Sequence, residues 1–237
     1  MESIKPGEKT LPLRDVFSRV LRFLGAPFLF GLCLAGFGLI LFGKFASEVL
    51  EGETSTFDQS ARQFFQQYGS STLTSIMILA SFIGSPGFLT FLSLPVGIIF
   101  LYRKWKQAFT LLVVAMAGAI ALNMLLKAVF HRARPEAFFD YALPASYSFP
   151  SGHALGAFCF FGVLAWLLTV RLKNRSLIWI LRILSLLLIL LVGSSRIYLG
   201  VHYASDVIAG YLAAAVWTTT IVLGDSFLHR HELIGKD

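Results

Sequence analysis

The chain has 237 residues, 56% of them hydrophobic and only 14% charged, with a formal net charge of +7 and a mean hydropathy of +0.73. A soluble domain, in which about 25% of residues are charged, is excluded. At about 20 apolar residues per span, the length accommodates about five to seven transmembrane helices and no separate soluble domain. Cys33 and Cys159 both lie inside apolar runs, which leaves neither a disulfide framework nor a cysteine metal site.

Residues 1–22 are polar, carry Lys5, Lys9, Arg14, Arg19 and Arg22, and lack the small-residue cleavage pattern of a signal peptide. They read as an uncleaved cytoplasmic tail. Residues 23–43 are an uncharged run long enough to cross a bilayer, the first span. An acidic stretch with Glu48, Glu51, Glu53 and Asp58 follows. It overlaps Phe57, Ala61, Phe64, Phe65 and Tyr68 at i, i+4, i+7, i+8 and i+11, the stripe of a helix lying on the membrane surface. That stripe reads as an interfacial anchor rather than a substrate gate.

No charge occurs between Arg62 and Arg103, and the Gly84-Ser85-Pro86-Gly87 break divides this stretch unevenly. Residues 71–83, about 20 Å long as a helix, read as a short helix packed at the outer surface. Residues 86–102 read as the second span. Four more spans follow at 107–130, 151–170, 176–194 and 203–224, and residues 225–237 form a second cytoplasmic tail. Arg182, inside the fifth span beside Trp179, reads as a snorkelling anchor. The expected fold is all-α: a single polytopic membrane unit over 23–224 with six transmembrane helices, plus an amphipathic helical segment in the outer stretch 45–84.

Six spans with both termini cytoplasmic place 14 of the 20 Lys and Arg inside. This agrees with the positive-inside rule and attributes the basic balance to topology rather than to nucleic-acid binding. Of the remaining six, Lys44 and Arg62 belong to the first outer segment, and Lys127, Arg132, Arg134 and Arg196 break the rule as a cluster. Positive charge kept on the wrong side of a membrane points to an anionic ligand.

Three blocks on that outer face carry chemistry. Lys127, His131 and Arg134 fall at i, i+4 and i+7, so a helix continued to Pro135 would present all three on one face. Phe149-Pro150-Ser151-Gly152-His153 opens the fourth span with a serine cap, free helix N–H groups and an imidazole suited to proton transfer near neutrality. In the third, spanning 195–206, Asp206 lies one turn beyond His202 if the chain is already helical there. Its carboxylate would then hold one imidazole nitrogen and leave the other facing the cleft. His131 and Arg132 either touch substrate or pair with Glu136 or Asp140.

In these blocks the chain resembles the type 2 phosphatidic acid phosphatases, membrane lipid phosphatases related to vanadium haloperoxidases and bacterial acid phosphatases. Their signatures K-x6-RP, PSGH and SR-x5-H-x3-D are met at all 11 specified positions: Lys127, Arg134, Pro135, Pro150, Ser151, Gly152, His153, Ser195, Arg196, His202 and Asp206. The resemblance implies that His202 is a nucleophile forming a phosphohistidine, Asp206 its orienting carboxylate and His153 the acid–base group. It assigns Lys127, Arg134, Ser151, Gly152 and Arg196 to binding the phosphate. Ala204 stands where the family often has proline, which leaves the start of the sixth helix less defined.

The outer segments gather no carboxylate cluster suited to Mg²⁺, so no metal or other cofactor is expected. The implied activity is that of a lipid phosphatase in the cytoplasmic membrane with its site facing outward. Its partner would be a lipid phosphate or pyrophosphate: undecaprenyl pyrophosphate first, with phosphatidylglycerol phosphate and phosphatidic acid open. A phosphotransferase using the same phosphohistidine, and a non-catalytic lipid-binding or transport protein, are the alternatives. An acid and an oriented nucleophile argue against the latter, since binding alone needs only the cations.

Overall fold

The apolar runs fold as helices because each satisfies its own backbone hydrogen bonds, as a bilayer interior demands. In the computed structural model, which describes residues 26–139 and 141–234, all regular structure among the described residues is helical. The elements are α1 (Ala26–Leu50), α2 (Ser55–Gln67), α3 (Ser71–Ile83), α4 (Pro86–Tyr102), α5 (Lys106–Phe130), α6 (Gly152–Thr169), α7 (Arg175–Tyr198) and α8 (Ala204–Ile234). Five of them, α1, α5, α6, α7 and α8, are long and apolar enough to cross a membrane. α3 and α4 meet at a 55° bend and together make up to one more. Residues 1–22, and Asp140 as a partner of Arg132, lie outside the described residues.

Several boundaries differ from the sequence expectation. α1 continues past residue 43 to Leu50, because Ala46 and Val49 are buried in the core and Lys44 pairs with Glu48 one turn on. α8 continues past Gly224 to Ile234, with no proline to stop it. Thr74 reaches the Tyr198 hydroxyl at 2.8 Å, Ser81 reaches Arg196, and Gly84 abuts Val192, so α3 runs down along the last turns of α7.

The α2 stripe splits in two. Ala61 and Phe65 pack inward against the ends of α7 and α8, whereas Phe57, Phe64 and Tyr68 stay exposed.

The main core lies between α1, α4, α5, α6 and α8. At one end of the bundle Phe42, Phe130 and Phe149 cluster, with the Phe130 and Phe149 centroids 4.8 Å apart. This aromatic floor supports the segment between α5 and α6, about 20 residues without helix, a length that in a compact domain marks a functional segment. α5 and α7 end at this level and α6 and α8 begin there, so four helix termini and one long strap meet over one apolar base.

Candidate active site

The site is built from those termini. α7 stops at Tyr198, and Gly200, at φ +72°, turns the chain in the left-handed region where a side chain is strained. A Cβ there would also sit 2.7 Å from the Phe138 backbone nitrogen. The turn folds back until the Val201 and His202 N–H groups donate to the Arg196 carbonyl at 3.2 and 3.3 Å. This is the structural meaning of the five-residue gap between Arg196 and His202.

α8 then begins at Ala204, so His202 is not itself helical. Asp206 still reaches it, because in the first turn its Oδ2 accepts the Tyr203 N–H at 2.9 Å, as the acidic residue of a capping box does.

His202, 1% exposed, has side-chain partners at both ring nitrogens. Its Nδ1 is 3.4 Å from Ser148 Oγ and 3.4 Å from Asp206 Oδ2, which also accepts the Ser148 hydroxyl at 2.5 Å. Its Nε2 is 3.1 Å from Arg134 Nη1. A carboxylate accepts and a guanidinium donates, so Nδ1 carries the hydrogen and Nε2 the lone pair. Burial pushes the imidazole down to about 4, against the upward pull of Asp206, with Arg134 and Arg196 adding to the fall. The ring is therefore neutral at pH 7.

The cations converge from other elements. Arg134 donates from Nε to the Ser146 carbonyl at 2.7 Å and from Nη1 to the Val201 carbonyl at 2.7 Å. Burial, then the neighbouring Arg196, lowers its guanidinium to about 10, still charged at neutral pH. Lys127, in the last turn of α5, bonds Ser146 Oγ and the Tyr147 carbonyl at 3.0 and 2.7 Å. Arg196 is 1% exposed; its Nη1 is taken by Ser81, while its Nε is buried without a hydrogen-bond partner, a donor available to an anion.

Ser151 caps α6 from a buried position, and its N–H donates to the Asp206 carbonyl at 2.9 Å. That close crossing of α6 and α8 requires Gly210, where a Cβ would sit 2.7 Å from the Ser151 carbonyl. The Gly152 N–H is one of the first-turn donors that no helix bond uses. His153, half-buried in the same turn, lies within electrostatic reach of Arg196, His202, Arg134 and Lys127.

All eight residues singled out from the sequence thus meet at one end of the bundle. The helical stripe expected through Lys127, His131 and Arg134 does not form. α5 ends at Phe130, and His131 caps it in a left-handed conformation, φ 45°, with its ring edge-on to Tyr147. Arg134 reaches the site from the non-helical strap instead. Among the described residues, Arg132 pairs not with Glu136 but with Asp206 at 2.6 Å and Asp58 at 2.9 Å.

Asp58, Ser81 and Ser148 were missed. Asp58 had one legible signal, since it shares the inward α2 face with Ala61 and Phe65 at i, i+3 and i+7. Ser81 and Ser148 are isolated polar residues with no spacing to mark them.

A fold of membrane helices with two histidines, one carboxylate and three cations at one end defines a membrane phosphatase, and the comparisons agree. The chain belongs to the PAP2 superfamily, whose pattern residues 108–228 match. It is 31% identical over 180 residues to phosphatidylglycerophosphatase B of Bacillus subtilis, covering 74% of this chain and 84% of that one. It is 33% identical over 148 residues to undecaprenyl-diphosphatase of Sulfolobus acidocaldarius, covering 60% and 66%. The crystal structure of a transmembrane PAP2-type phosphatidylglycerolphosphate phosphatase from Bacillus subtilis superposes with a TM-score of 0.74 at 27% identity, covering 81% of this chain and 96% of that one. The chain is thus a membrane enzyme of a lipid phosphatase family.

Proposed function

We propose that the chain hydrolyses the terminal phosphoryl group of a membrane lipid, as a phosphomonoester or a pyrophosphate, at the outer leaflet through a phosphohistidine on His202. The observation that carries this reading is the placement of His202 between Asp206 Oδ2, 3.4 Å from Nδ1, and Arg134 Nη1, 3.1 Å from Nε2, which assigns the hydrogen to Nδ1 and leaves the Nε2 lone pair toward the cations. Nε2 attacks phosphorus, the N–P bond forms, and the P–O bond to the leaving group breaks as His153 protonates the departing oxygen. The ring becomes a phosphoimidazolium that Asp206 stabilises.

Neutral His153 then takes a proton from water as that oxygen attacks phosphorus, and the N–P electrons return to Nε2. Arg134 shifts its Nη1 hydrogen bond from Nε2 to a phosphoryl oxygen. Lys127, Arg196, Ser151 and the Gly152 N–H hold the equatorial oxygens where charge collects in the transition state. Both nearby carboxylates, Asp206 and Asp58, are engaged by Arg132, which favours chemistry without a divalent metal.

The sequence expectation is undecaprenyl pyrophosphate, and the Bacillus subtilis relative covered to 84% of its length is named phosphatidylglycerophosphatase B; both lipids present a terminal phosphoryl group. The deciding experiment is phosphate release by purified protein in detergent from undecaprenyl pyrophosphate, phosphatidylglycerol phosphate and phosphatidic acid, with and without EDTA. Release from at least one, unchanged by chelator and absent in His202→Ala, is expected. Silence on all three lipids overturns the hydrolase reading, and rescue of a chelated enzyme by Mg²⁺ overturns metal independence.

A further inference from the structure

Behind the His202–Asp206 pair lies a second ionic layer that the reaction as written does not use. Arg132 Nη1 donates to Asp206 Oδ1 at 2.6 Å and to Ser205 Oγ at 2.8 Å, and Nη2 donates to Asp58 Oδ2 at 2.9 Å. Asp58, from α2, accepts the Ser205 N–H at 2.9 Å, the Ser205 hydroxyl at 2.7 Å and the Thr54 hydroxyl at 3.2 Å. It thereby accepts from a first-turn N–H of α8 out of another helix, a donor that no bond within α8 uses. Asp58 and Asp206 are 1% and 0% exposed, so solvent screens little of this charge.

The charges sum in an informative way. Two carboxylates and one guanidinium leave a net charge of −1 beside a neutral imidazole. When Nε2 takes the phosphoryl group the ring becomes cationic and the cluster reaches zero. With Arg132 but without Asp58, Asp206 would already be cancelled and the intermediate would leave an uncompensated buried cation. Without Arg132 the cluster would hold −2 and favour a protonated, non-nucleophilic ring.

We propose that Asp58 and Arg132 are positioning residues for phosphoryl transfer: Arg132 fixes Asp206 through Oδ1, and Asp58 restores the negative charge that Arg132 removes. This rests on the reading of His202 as nucleophile. The other groups facing the imidazole are Arg134 from the strap, Arg196 from α7, His153 from α6 and Asp206 from α8. None of them is altered by the variants below.

The test is steady-state kinetics on dioctanoyl phosphatidic acid in detergent, across pH, for Asp58→Asn, Arg132→Gln, Arg132→Lys and His202→Ala, with folding checked by thermal unfolding. Asp58→Asn and Arg132→Gln each lower kcat about 10-fold or more with KM within about 3-fold. The acidic limb of kcat/KM moves in opposite directions: downward in Asp58→Asn, where the imidazolium loses a carboxylate, and upward by about 1 unit in Arg132→Gln. Arg132→Lys leaves the limb in place.

Activity loss with an unmoved limb, or limbs moving the same way, reduces the layer to scaffolding and overturns the proposal. Should Asp58→Asn not fold, the two Arg132 variants decide by themselves, since equal limb positions in Gln and Lys overturn it. Turnover surviving in His202→Ala defeats the nucleophile reading. A silent His202→Ala with parental kinetics in the other variants defeats only this inference.

Discussion

The two ends of the bundle are held together differently. At the site end, Arg196, His202, Asp206, Asp58, Ser148, Ser151 and Ser205 are all buried, and bonds cross between α2, α3, α6, α7, α8 and the strap. At the opposite end the polar ties are peripheral: Gln107 to Asp225 at 2.8 Å, Arg171 over the Trp105 ring at 4.7 Å, and Arg182 over the Trp179 ring at 5.9 Å. Between them the helices touch through small residues, such as Gly118 against Trp217 and Gly38 against Val216. Enclosed, pre-oriented charge costs folding energy, but it needs no reorganisation when a phosphoryl group arrives. The end without that task keeps its charges in contact with water and headgroups, where pairs contribute little.

The largest break in this comparison is His202→Ala, expected to cut turnover by at least about 10⁴-fold with the bundle intact, read as phosphate release beside a thermal unfolding curve. His153→Ala retains phosphoenzyme formation on a substrate with a good leaving group. Acid-labile phosphate trapped on His202→Ala would contradict the assignment. Asp206→Asn follows, at about 10² to 10⁴-fold. It loses the charge that Arg132, Ser148, Tyr203 and His202 all engage, so thermal stability falls as well; breaking a buried ion pair costs about 3–5 kcal/mol.

Vanadate tests the cationic half of the same end. Lys127, Arg134 and the free Arg196 Nε should hold a trigonal-bipyramidal oxyanion as they hold the transition state. Competitive inhibition that weakens in Arg196→Ala is the expected result.

The pH dependence sharpens the contrast further. Burial lowers His202 to about 4, so the free enzyme keeps its nucleophile unprotonated down to that pH. The acidic limb of kcat/KM should fall near 4, where an exposed histidine would place it near 6.5. The same shift sets a stability slope. Between about 6.5 and 4 the unfolded chain binds a proton that the native site refuses, so this contribution is unfavourable at low pH and stability rises with pH across that window. A limb at 6.5 would mean that the imidazole is solvated.

The motif residues were legible because their spacing encodes short-range backbone events: a cap at Ser151, a tight turn at Gly200, a first helical turn at Asp206. The long apolar helices were legible from uncharged runs. What escaped was set by long-range packing. Asp58 reads as one more acid in an acidic outer stretch until α2 folds over α8, 147 residues away at Ser205. Ser81 reads as a neutral residue of an apolar helix until α3 descends along α7. The Lys127–His131–Arg134 stripe assumed that α5 continues to Pro135, whereas the strap leaves at His131 and ties its Arg132 carbonyl to the Ser148 N–H at 2.8 Å.

The smallest effect belongs to the opposite end and tests which way the comparison faces. Gln107→Ala removes only an exposed tie to Asp225, so activity should stay within about 2-fold and stability within about 1 kcal/mol. That tolerance makes position 107 a suitable reporter, paired with exposed Glu53 beside the site. Both cysteines are first replaced by alanine; Cys33 is exposed and Cys159 buried. Around Gln107 lie Arg103, Lys104, Lys106, Arg171, Lys173 and Arg175, a concentration that the positive-inside rule places in the cytoplasm. At the site end Arg62, Arg132, Arg134 and Arg196 are all drawn into contacts within the fold, while Glu51 and Glu53 lie in the turn between α1 and α2. An impermeant thiol reagent should therefore label Glu53→Cys in intact cells and Gln107→Cys only after permeabilisation. The reverse pattern would turn the site toward the cytoplasm and its substrate into an inner-leaflet lipid, leaving the chemistry of His202 as argued but moving the pool on which it acts.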